Sequence, residues 1–374
     1  VPYSVLIVDD SSFFQARLKE IINEHPDLNV IGVASNGQEA IDKDQLLKPD
    51  IISMDYEMPM IDGITAVRSI LANRSVPIVM FSSMTYEGAR ITLESLEAGA
   101  VDFIPKNFAE VSKGSAALKK RLHDRLITFA KNAKPSVIKL NLKKSTGTIS
   151  VKRRSQAGSG VAAKNASTAS STSNAGSVAL SGARSIKGKK KLLIIGSSTG
   201  GPVALAQIIP QLDASFSVPI LIIQHMPDNF TRAFAERLGN QSQLSVKEAE
   251  TGDVLAAGKV FVAPGGKQLI IDKNGATIKI IDGDDRVNYK PCVDISFASA
   301  AQVFGGSVHA LVLTGMGADG CEGAKLLKQK GASVWAQNEE TCVVYGMPAA
   351  VVKADLADAV LPIGEFSSRL NSEL

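Results

Sequence analysis

A short apolar run followed by a longer amphipathic stretch recurs five times between residues 3 and 131. The runs are Ser4–Val8, Val30–Ala34, Ile51–Met54, Ile78–Phe81 and Val101–Ile104. The amphipathic stretches are Ser12–Asn23, Gln38–Leu47, Gly63–Leu71, Ala89–Ala98 and Val111–Ala130. Runs this short, apolar throughout, read as strands buried on both faces, and the longer stretches repeat at a helical period. Five strand–helix units in series predict a doubly wound parallel sheet. Such a sheet binds its ligand at the carboxyl ends of its strands, near the switch in strand order. The same pattern returns after residue 191, with runs at Leu192–Ile195, Pro219–Ile223, Val260–Val262 and Ala310–Leu313. Gln268–Ile281 departs from it: alternating apolar residues flank Lys-Asn-Gly-Ala, which predicts a β-hairpin with a tight turn at Asn274-Gly275. The second half is therefore expected to be an α/β domain with a mainly parallel sheet and a small antiparallel addition.

The stretch between the two patterns is different in kind. Residues 134–191 hold 13 Lys or Arg and no Asp or Glu, and 165–177 use only Asn, Ala, Ser, Thr and Gly. Such a segment has too little apolar surface to pack. The expected organisation is a domain over 1–133, a flexible basic linker over 134–190 and a second domain over 191–374. The chain carries +4 overall, so everything outside that +13 segment sums to −9. Two mildly acidic domains flanking one basic segment argue against a nucleic-acid partner; a nucleic-acid or anionic-surface patch on that segment is the alternative, but no aromatic residue is interleaved in it. No run of 18 apolar residues appears, so no membrane insertion is expected. The start, V-P-Y-S-V-L-I-V-D-D, lacks the basic flank of a signal peptide. Three cysteines, Cys292, Cys321 and Cys342, without a C-x-x-C, give neither a disulfide framework nor a cysteine zinc site. A cytoplasmic location is the expectation.

Five chemistry-bearing residues follow four of the five strands of the first half. Asp9 and Asp10 end the first, Asp55 the third, Ser82 the fourth and Lys106 the fifth. Three carboxylates gathered at a switch point repel one another, and hard oxygen donors with room for water suit Mg2+. A metal there positions a phosphoryl donor, and an aspartate can act as the nucleophile of the transfer. Ser82 and Lys106 can hold the phosphoryl oxygens. Taken singly, each acidic residue also fits a helix N-cap, as Asp10 or Ser11 does for Ser12–Asn23.

V-D-D-S, M-D-Y-E-M-P-M-I-D-G, F-S-S-M and D-F-I-P-K resemble the motifs of response-regulator receiver domains, over residues 3 to about 130. The resemblance implies that Asp55 accepts phosphate from a chemotaxis histidine kinase. It places Asp9, Asp10, Asp55 and the carbonyl of Glu57 around Mg2+. It makes Ser82 and Phe103 the switch pair and Lys106 the phosphate-sensing lysine. One departure stands out: receivers usually follow that lysine with a proline joined by a cis bond, and here Asn107 follows. A cis bond before a non-proline costs about 2.5–4 kcal/mol. Either that bond is trans and the loop rearranged, or the strain is kept.

In the second half, Gly196-Ser197-Ser198-Thr199-Gly200-Gly201 lies between a strand and a helix and matches G-x-S-x-G. A helix N-terminus beside a serine offers N–H groups for an oxyanion, and the serine needs a base. The same glycine turn also suits phosphate binding, although it lacks G-x-G-x-x-G and a Gly-Lys-Ser/Thr ending. Of the four histidines, His25 and His123 lie in the first half, and His309 opens a strand at the wrong end of the sheet. His225, after strand Pro219–Ile223, is the better base. Asp319, in T-G-M-G-A-D-G, follows the strand ending at Leu313 and can orient it. A Ser198, His225, Asp319 triad is recognised by role, and its order differs from the Ser…Asp…His of the α/β-hydrolase fold.

G-S-S-T-G-G-P, Q-H-M-P-D-N-F-T-R-A-F-A-E-R-L, V-A-P-G-G, L-T-G-M-G-A-D-G and C-V-V-Y-G-M-P-A-A resemble the catalytic domain of the CheB protein-glutamate methylesterases, over about 191–365. The resemblance places the triad at Ser198, His225 and Asp319. It implies hydrolysis of glutamyl γ-methyl esters on methyl-accepting chemotaxis receptors, together with deamidation of receptor glutamines in many members. The tetrahedral intermediate is expected at backbone N–H groups near Thr199, aided by those near His225 or Met316. No cofactor is expected in this domain. The family usually carries alanine before the nucleophile, whereas this chain has Ser197. A turnover-free signalling adaptor and a DNA-binding regulator are the competing classes. The second domain shows no helix-turn-helix pattern for the latter.

Overall fold

The computed structural model describes residues 1–132, 191–284 and 287–374. The segment read as a linker lies outside the described residues. In the first domain, strands β1 (Tyr3–Val8), β2 (Leu28–Ala34), β3 (Ile51–Met54), β4 (Ile78–Ser83) and β5 (Asp102–Lys106) form one sheet in the order β2-β1-β3-β4-β5. All four pairings are parallel. Helices α1 (Ser12–Asn23), α2 (Gly37–Leu47), α3 (Gly63–Asn73), α4 (Tyr86–Glu97), α5 (Phe108–Lys113) and α6 (Ala116–Lys131) connect and cover the strands. Helices on both faces of a parallel sheet explain why β1 and β3 are apolar without alternation. The strand order reverses at β1, so its carboxyl end and that of β3 flank the switch point.

One detail differs from the sequence reading, and one open alternative is resolved. The stretch Val111–Ala130, read as one helix, is two: Gly114 takes φ +58 and ends α5, and the Ser115 hydroxyl then caps α6 by accepting from Leu118 N. The Lys106–Asn107 bond is trans, because the sole cis peptide among the described residues is Lys290–Pro291. Asn107 instead caps α5, its Oδ1 accepting from Ala109 N at 3.0 Å and Glu110 N at 3.3 Å. The residue that departs from the receiver pattern starts a helix.

The second domain holds a seven-stranded parallel sheet in the order β14-β13-β12-β6-β7-β9-β8. Its strands are β6 (Leu192–Ser197), β7 (Ile220–Gln224), β8 (Ser245–Glu248), β9 (Lys259–Val262), β12 (Val308–Val312), β13 (Ser333–Gln337) and β14 (Ala359–Leu361). Strands β10 (Lys267–Ile271) and β11 (Ile278–Asp282) form the separate antiparallel hairpin. Its loop is longer than the two-residue turn expected at Asn274-Gly275: Asp272 N donates to Thr277 O, and Gly275 N closes a turn on Asp272 O. Gly275, at φ +71, still provides the left-handed position. The helices are α7 (Gly201–Ile208), α8 (Phe230–Gln241), α9 (Val293–Phe304), α10 (Cys321–Gln329), α11 (Met347–Lys353) and α12 (Phe366–Glu373). Strand order diverges on either side of β6, which brings the carboxyl ends of β6, β7 and β12 side by side. No helix among the described residues is long and apolar enough to cross a membrane.

The domains meet along α4 and α8. Leu93 and Leu96 face Pro202, Val203, Phe234 and Leu238 across the seam. At its edge Arg237 Nε donates to Glu97 Oε1 at 2.7 Å, and Gln241 reaches the same carboxylate at 3.2 Å. Tyr86 donates its hydroxyl to Glu236.

Candidate functional sites

The first site gathers at the switch point of the receiver-like sheet. Asp9, Asp10 and Asp55 each place a carboxylate oxygen within 4.8 Å of the others. Lys106 Nζ bridges two of them, 2.8 Å from Asp9 Oδ2 and 2.7 Å from Asp55 Oδ2, and lies 4.2 Å over the Phe14 ring. Asp55 Oδ1 accepts from Tyr56 N at 2.7 Å. Burial pushes the Asp55 carboxyl up to about 6, against the opposing pull of the Lys106 ammonium. Asp9 is raised for the same reason. Burial works against the Lys106 charge, but Asp55 and Asp9 hold its pKa above the ordinary value. Three clustered carboxylates with a single ammonium are a set of hard oxygen donors, which fits a magnesium ion.

The remaining expected receiver residues divide. Glu57 is exposed, and its carboxylate takes a hydrogen bond from the Tyr56 hydroxyl. Ser82 is not turned toward Asp55: its hydroxyl accepts from Thr92 and donates to Gly88 O on α4. Phe103 packs outside the acidic site, in the contact between the domains. Its ring stacks on Phe230 at the start of α8, with centroids 4.6 Å apart.

The second site forms at the adjacent ends of β6, β7 and β12. A turn of small residues follows β6, because side chains would collide there. A Cβ on Gly200, at φ +76, would meet Val343 at 2.6 Å, and one on Gly201 would meet Gln224 Oε1 at 2.0 Å. Ser198 follows the strand, with its N–H donating to Thr314 O at 3.0 Å. That N–H is therefore occupied, whereas the Thr199 and Met316 N–H groups make no backbone hydrogen bond among the described residues. Thr314 Oγ1 donates to Thr199 O at 2.9 Å and ties the end of β12 to the turn.

His225 follows β7, and its Nε2 lies 2.6 Å from Asp319 Oδ2. Asp319 in turn sits at the N-terminus of α9. Val293 N donates to Oδ2 at 2.7 Å, Asp294 N to Oδ1 at 2.9 Å and Cys292 Sγ to Oδ1 at 3.2 Å. Burial alone would raise this carboxyl, but the His225 bond and the Asp294 and Val293 N–H groups bring it down to about 2. It stays ionised at neutral pH. Among the described residues Ser198 shares no hydrogen bond with His225, whose Nδ1 is buried without a partner. His309 lies at the other end of β12, edge-on to Trp335.

Ser197 is fully buried, and its hydroxyl donates to Gln224 Oε1 at 2.6 Å. Gln224 Nε2 donates to Ser198 O at 2.9 Å and His225 O at 3.0 Å. One buried amide therefore binds both turns that carry Ser198 and His225. Gln224 did not emerge from the sequence, although it stands directly before His225 in Q-H-M-P-D. Asp294 was also missed. Its Oδ1 accepts from Gly320 N at 2.9 Å and Gly323 N at 2.7 Å, fixing the loop that holds Asp319.

The first domain reaches this site directly. Thr199 Oγ1 donates to Asp102 Oδ2 of β5 at 3.1 Å. Asp102 pairs with Arg125 of α6 at 3.2 Å, and burial raises its carboxyl despite that cation. Both Thr199 and Asp102 are buried.

Fold and sites together define a class: a phosphoacceptor-type receiver docked on an α/β domain with serine-hydrolase components. Two family models match the chain: CheB methylesterase over residues 193–370 and response regulator receiver domain over 5–117. A protein-glutamate methylesterase/protein-glutamine glutaminase of Saccharophagus degradans is 60% identical over 372 residues, covering 100% of both chains. One from Vibrio cholerae is 49% identical over 375 residues, covering 99% of this chain and 98% of its own. The CheB methylesterase catalytic domain of Thermotoga maritima, solved by crystallography, is 41% identical over 50% of this chain and 100% of its own, with a TM-score of 0.48. The chain belongs to the CheB family of protein-glutamate methylesterases.

Proposed function

We propose that this chain hydrolyses glutamyl γ-methyl esters on chemoreceptors, with Ser198, His225 and Asp319 as the triad and Asp55 phosphorylation as the control. The observation that carries the reading is the convergence of the three residues at neighbouring strand ends, beside a turn whose Thr199 N–H makes no backbone hydrogen bond among the described residues. His225 Nε2 is taken by Asp319, so Nδ1 is the ring nitrogen left for the serine proton. Ser198 Oγ attacks the ester carbonyl carbon while His225 takes its proton. The oxyanion forms against the Thr199 and Met316 N–H groups. His225 returns the proton to the departing methoxide, and methanol leaves. Water then attacks the acyl-enzyme, giving its proton to His225, and glutamate and Ser198 are released. Asp319 remains a carboxylate throughout, holding one tautomer and stabilising the imidazolium. Receptor glutamines fit the same steps with ammonia as the leaving group.

The receiver supplies the regulation. Asp9, Asp10, Asp55 and the Glu57 carbonyl would hold Mg2+, which neutralises charge during phosphoryl transfer. Asp55 accepts the phosphoryl group from a chemotaxis histidine kinase. Lys106, bonded to Asp55, senses the added charge. Ser82, now held by Thr92 and Gly88, and Phe103, now stacked on Phe230, are the pair that rearranges. Undocking frees Thr199 from Asp102 and opens the Ser198 cleft to the receptor helix. A shift of about 1.4 kcal/mol changes the closed–open balance tenfold.

The test is methanol release from methylated receptor membranes, with and without a small-molecule phosphodonor and magnesium. Release that rises with the phosphodonor and vanishes in Ser198→Ala and in His225→Ala supports the reading. A folded, phosphorylated protein that releases nothing from its own organism's receptors overturns it and favours a receptor-binding adaptor.

A further inference from the structure

We infer that Tyr289 is a positioning residue for His225, fixing the plane of the imidazole and hence where Nδ1 is presented. The inference rests on the reading of His225 as the base. The His225 ring is anchored at one atom, Nε2, by the 2.6 Å contact with Asp319. A single hydrogen bond acts as a hinge: the ring can swing about it without breaking it, and each swing moves Nδ1. Among the described residues Nδ1 itself has no hydrogen-bond partner to stop that motion. Tyr289 supplies the missing restraint. Its ring lies flat on the imidazole, with centroids 4.1 Å apart and planes within 6° of parallel.

Tyr289 is itself braced from the segment that binds Asp319. Gln268, which is buried, donates through Nε2 to Tyr289 O at 2.7 Å and accepts from Cys292 N at 2.8 Å through Oε1. Cys292, Val293 and Asp294 are the three residues that hold the Asp319 carboxylate. Gln268 thus ties the stacking ring and the carboxylate anchor into one unit, so the hinge and its stop move together. The Tyr289 hydroxyl lies over Gly317, 3.2 Å from where a Cβ would stand. The ring plane, rather than the hydroxyl, carries the role, because it is the plane that contacts His225.

The test uses the full chain, phosphodonor and magnesium at saturation, and methylated receptor membranes, with kcat referred to folded protein. Tyr289→Ala and Tyr289→Leu are expected to lower kcat about 10- to 100-fold, the cost of a reacting group displaced by about 1 Å, with KM changed less than about threefold. Tyr289→Phe keeps the flat ring and is expected to stay within about threefold of the parent. Labelling of Ser198 by a fluorophosphonate, which needs no receptor, should fall in step with kcat in the Ala and Leu variants and recover in Phe. Tyr289→Leu keeps apolar bulk and decides the matter if Tyr289→Ala does not fold. Full kcat in Tyr289→Leu beside an inactive His225→Ala overturns the positioning role. So does a loss in Tyr289→Phe equal to that in Leu, or a change confined to KM. An active His225→Ala would instead remove the reading of His225 on which the inference rests.

Discussion

Phe103 of the receiver and Phe230 of the catalytic domain stack face to face, their ring planes within 1° of parallel. The neighbouring residue in the chain, Asp102, accepts from Thr199 at 3.1 Å. Two consecutive residues at the start of β5 therefore touch the catalytic domain, and the same strand ends in Lys106, which is bonded to Asp55. One five-residue strand spans the distance between the Asp55 site and the serine turn. A change at Asp55 has a short, packed route to the interface.

The stack should help hold the closed state. Aromatic pairs add about 0.5–1.5 kcal/mol beyond simple burial. Phe103→Leu keeps apolar bulk and loses the stack, so basal turnover of the unphosphorylated chain should rise about two- to tenfold. Methanol release without phosphodonor measures it. Unchanged basal release would mean that this contact does not gate the site.

The Glu97–Arg237 pair should act on the same balance by charge. It is partly exposed, 30% for the Arg237 side chain and 37% for Glu97, so about 1 kcal/mol or less is expected of it. Arg237→Glu sets like charges together and should raise basal turnover several-fold. The exchange Glu97→Arg with Arg237→Glu restores opposite charges and should bring basal turnover back down. If the double variant is as active as the single, the effect comes from elsewhere on α8.

Much of both sites was legible because parallel strands are apolar throughout and end abruptly in polar residues. Asp9, Asp55 and Lys106 each stand at such an end, and so do Ser198 and His225. Periodicity alone ran through Gly114-Ser115, where a left-handed glycine and a serine cap divide one apparent helix into two. Gln224 looked like the tail of an apolar strand, and its three hydrogen bonds appear only when the turns after β6 and β7 meet. Tyr86–Glu236, Glu97–Arg237 and Phe103–Phe230 join residues more than 100 positions apart, and no local pattern encodes such pairs.

The Asp55 carboxyl should make stability depend on pH. Its pKa is raised from 3.8 to about 6, so the folded state holds the proton more tightly than the unfolded state. The stabilisation is complete below the unfolded value and is lost as pH rises through the folded one. Two units correspond to at most about 3 kcal/mol. In magnesium-free buffer, Asp55→Asn should therefore unfold at a higher temperature than the parent at pH 7, with the gap closing by pH 4. A gap of equal size at both pH values would point to a cause other than ionisation.

Ser197 and Ser198 are adjacent, but their surroundings assign them different parts. Ser197 is turned inward, and its hydroxyl is held by Gln224, so it cannot reach a substrate without breaking a buried bond. Ser197→Ala removes one hydrogen bond, costing about 1 kcal/mol of stability, and should leave methanol release within about threefold of the parent. Gln224→Leu removes the bonds to Ser197, Ser198 and His225 together and leaves their oxygens buried. Both turns then lose their common brace, and release should fall at least about tenfold, as expected when positioned groups shift by a fraction of an ångström. Thermal unfolding separates lost protein from lost turnover. If Ser197→Ala abolished release in a protein of near-parental stability, the nucleophile would have to be reassigned from Ser198 to Ser197.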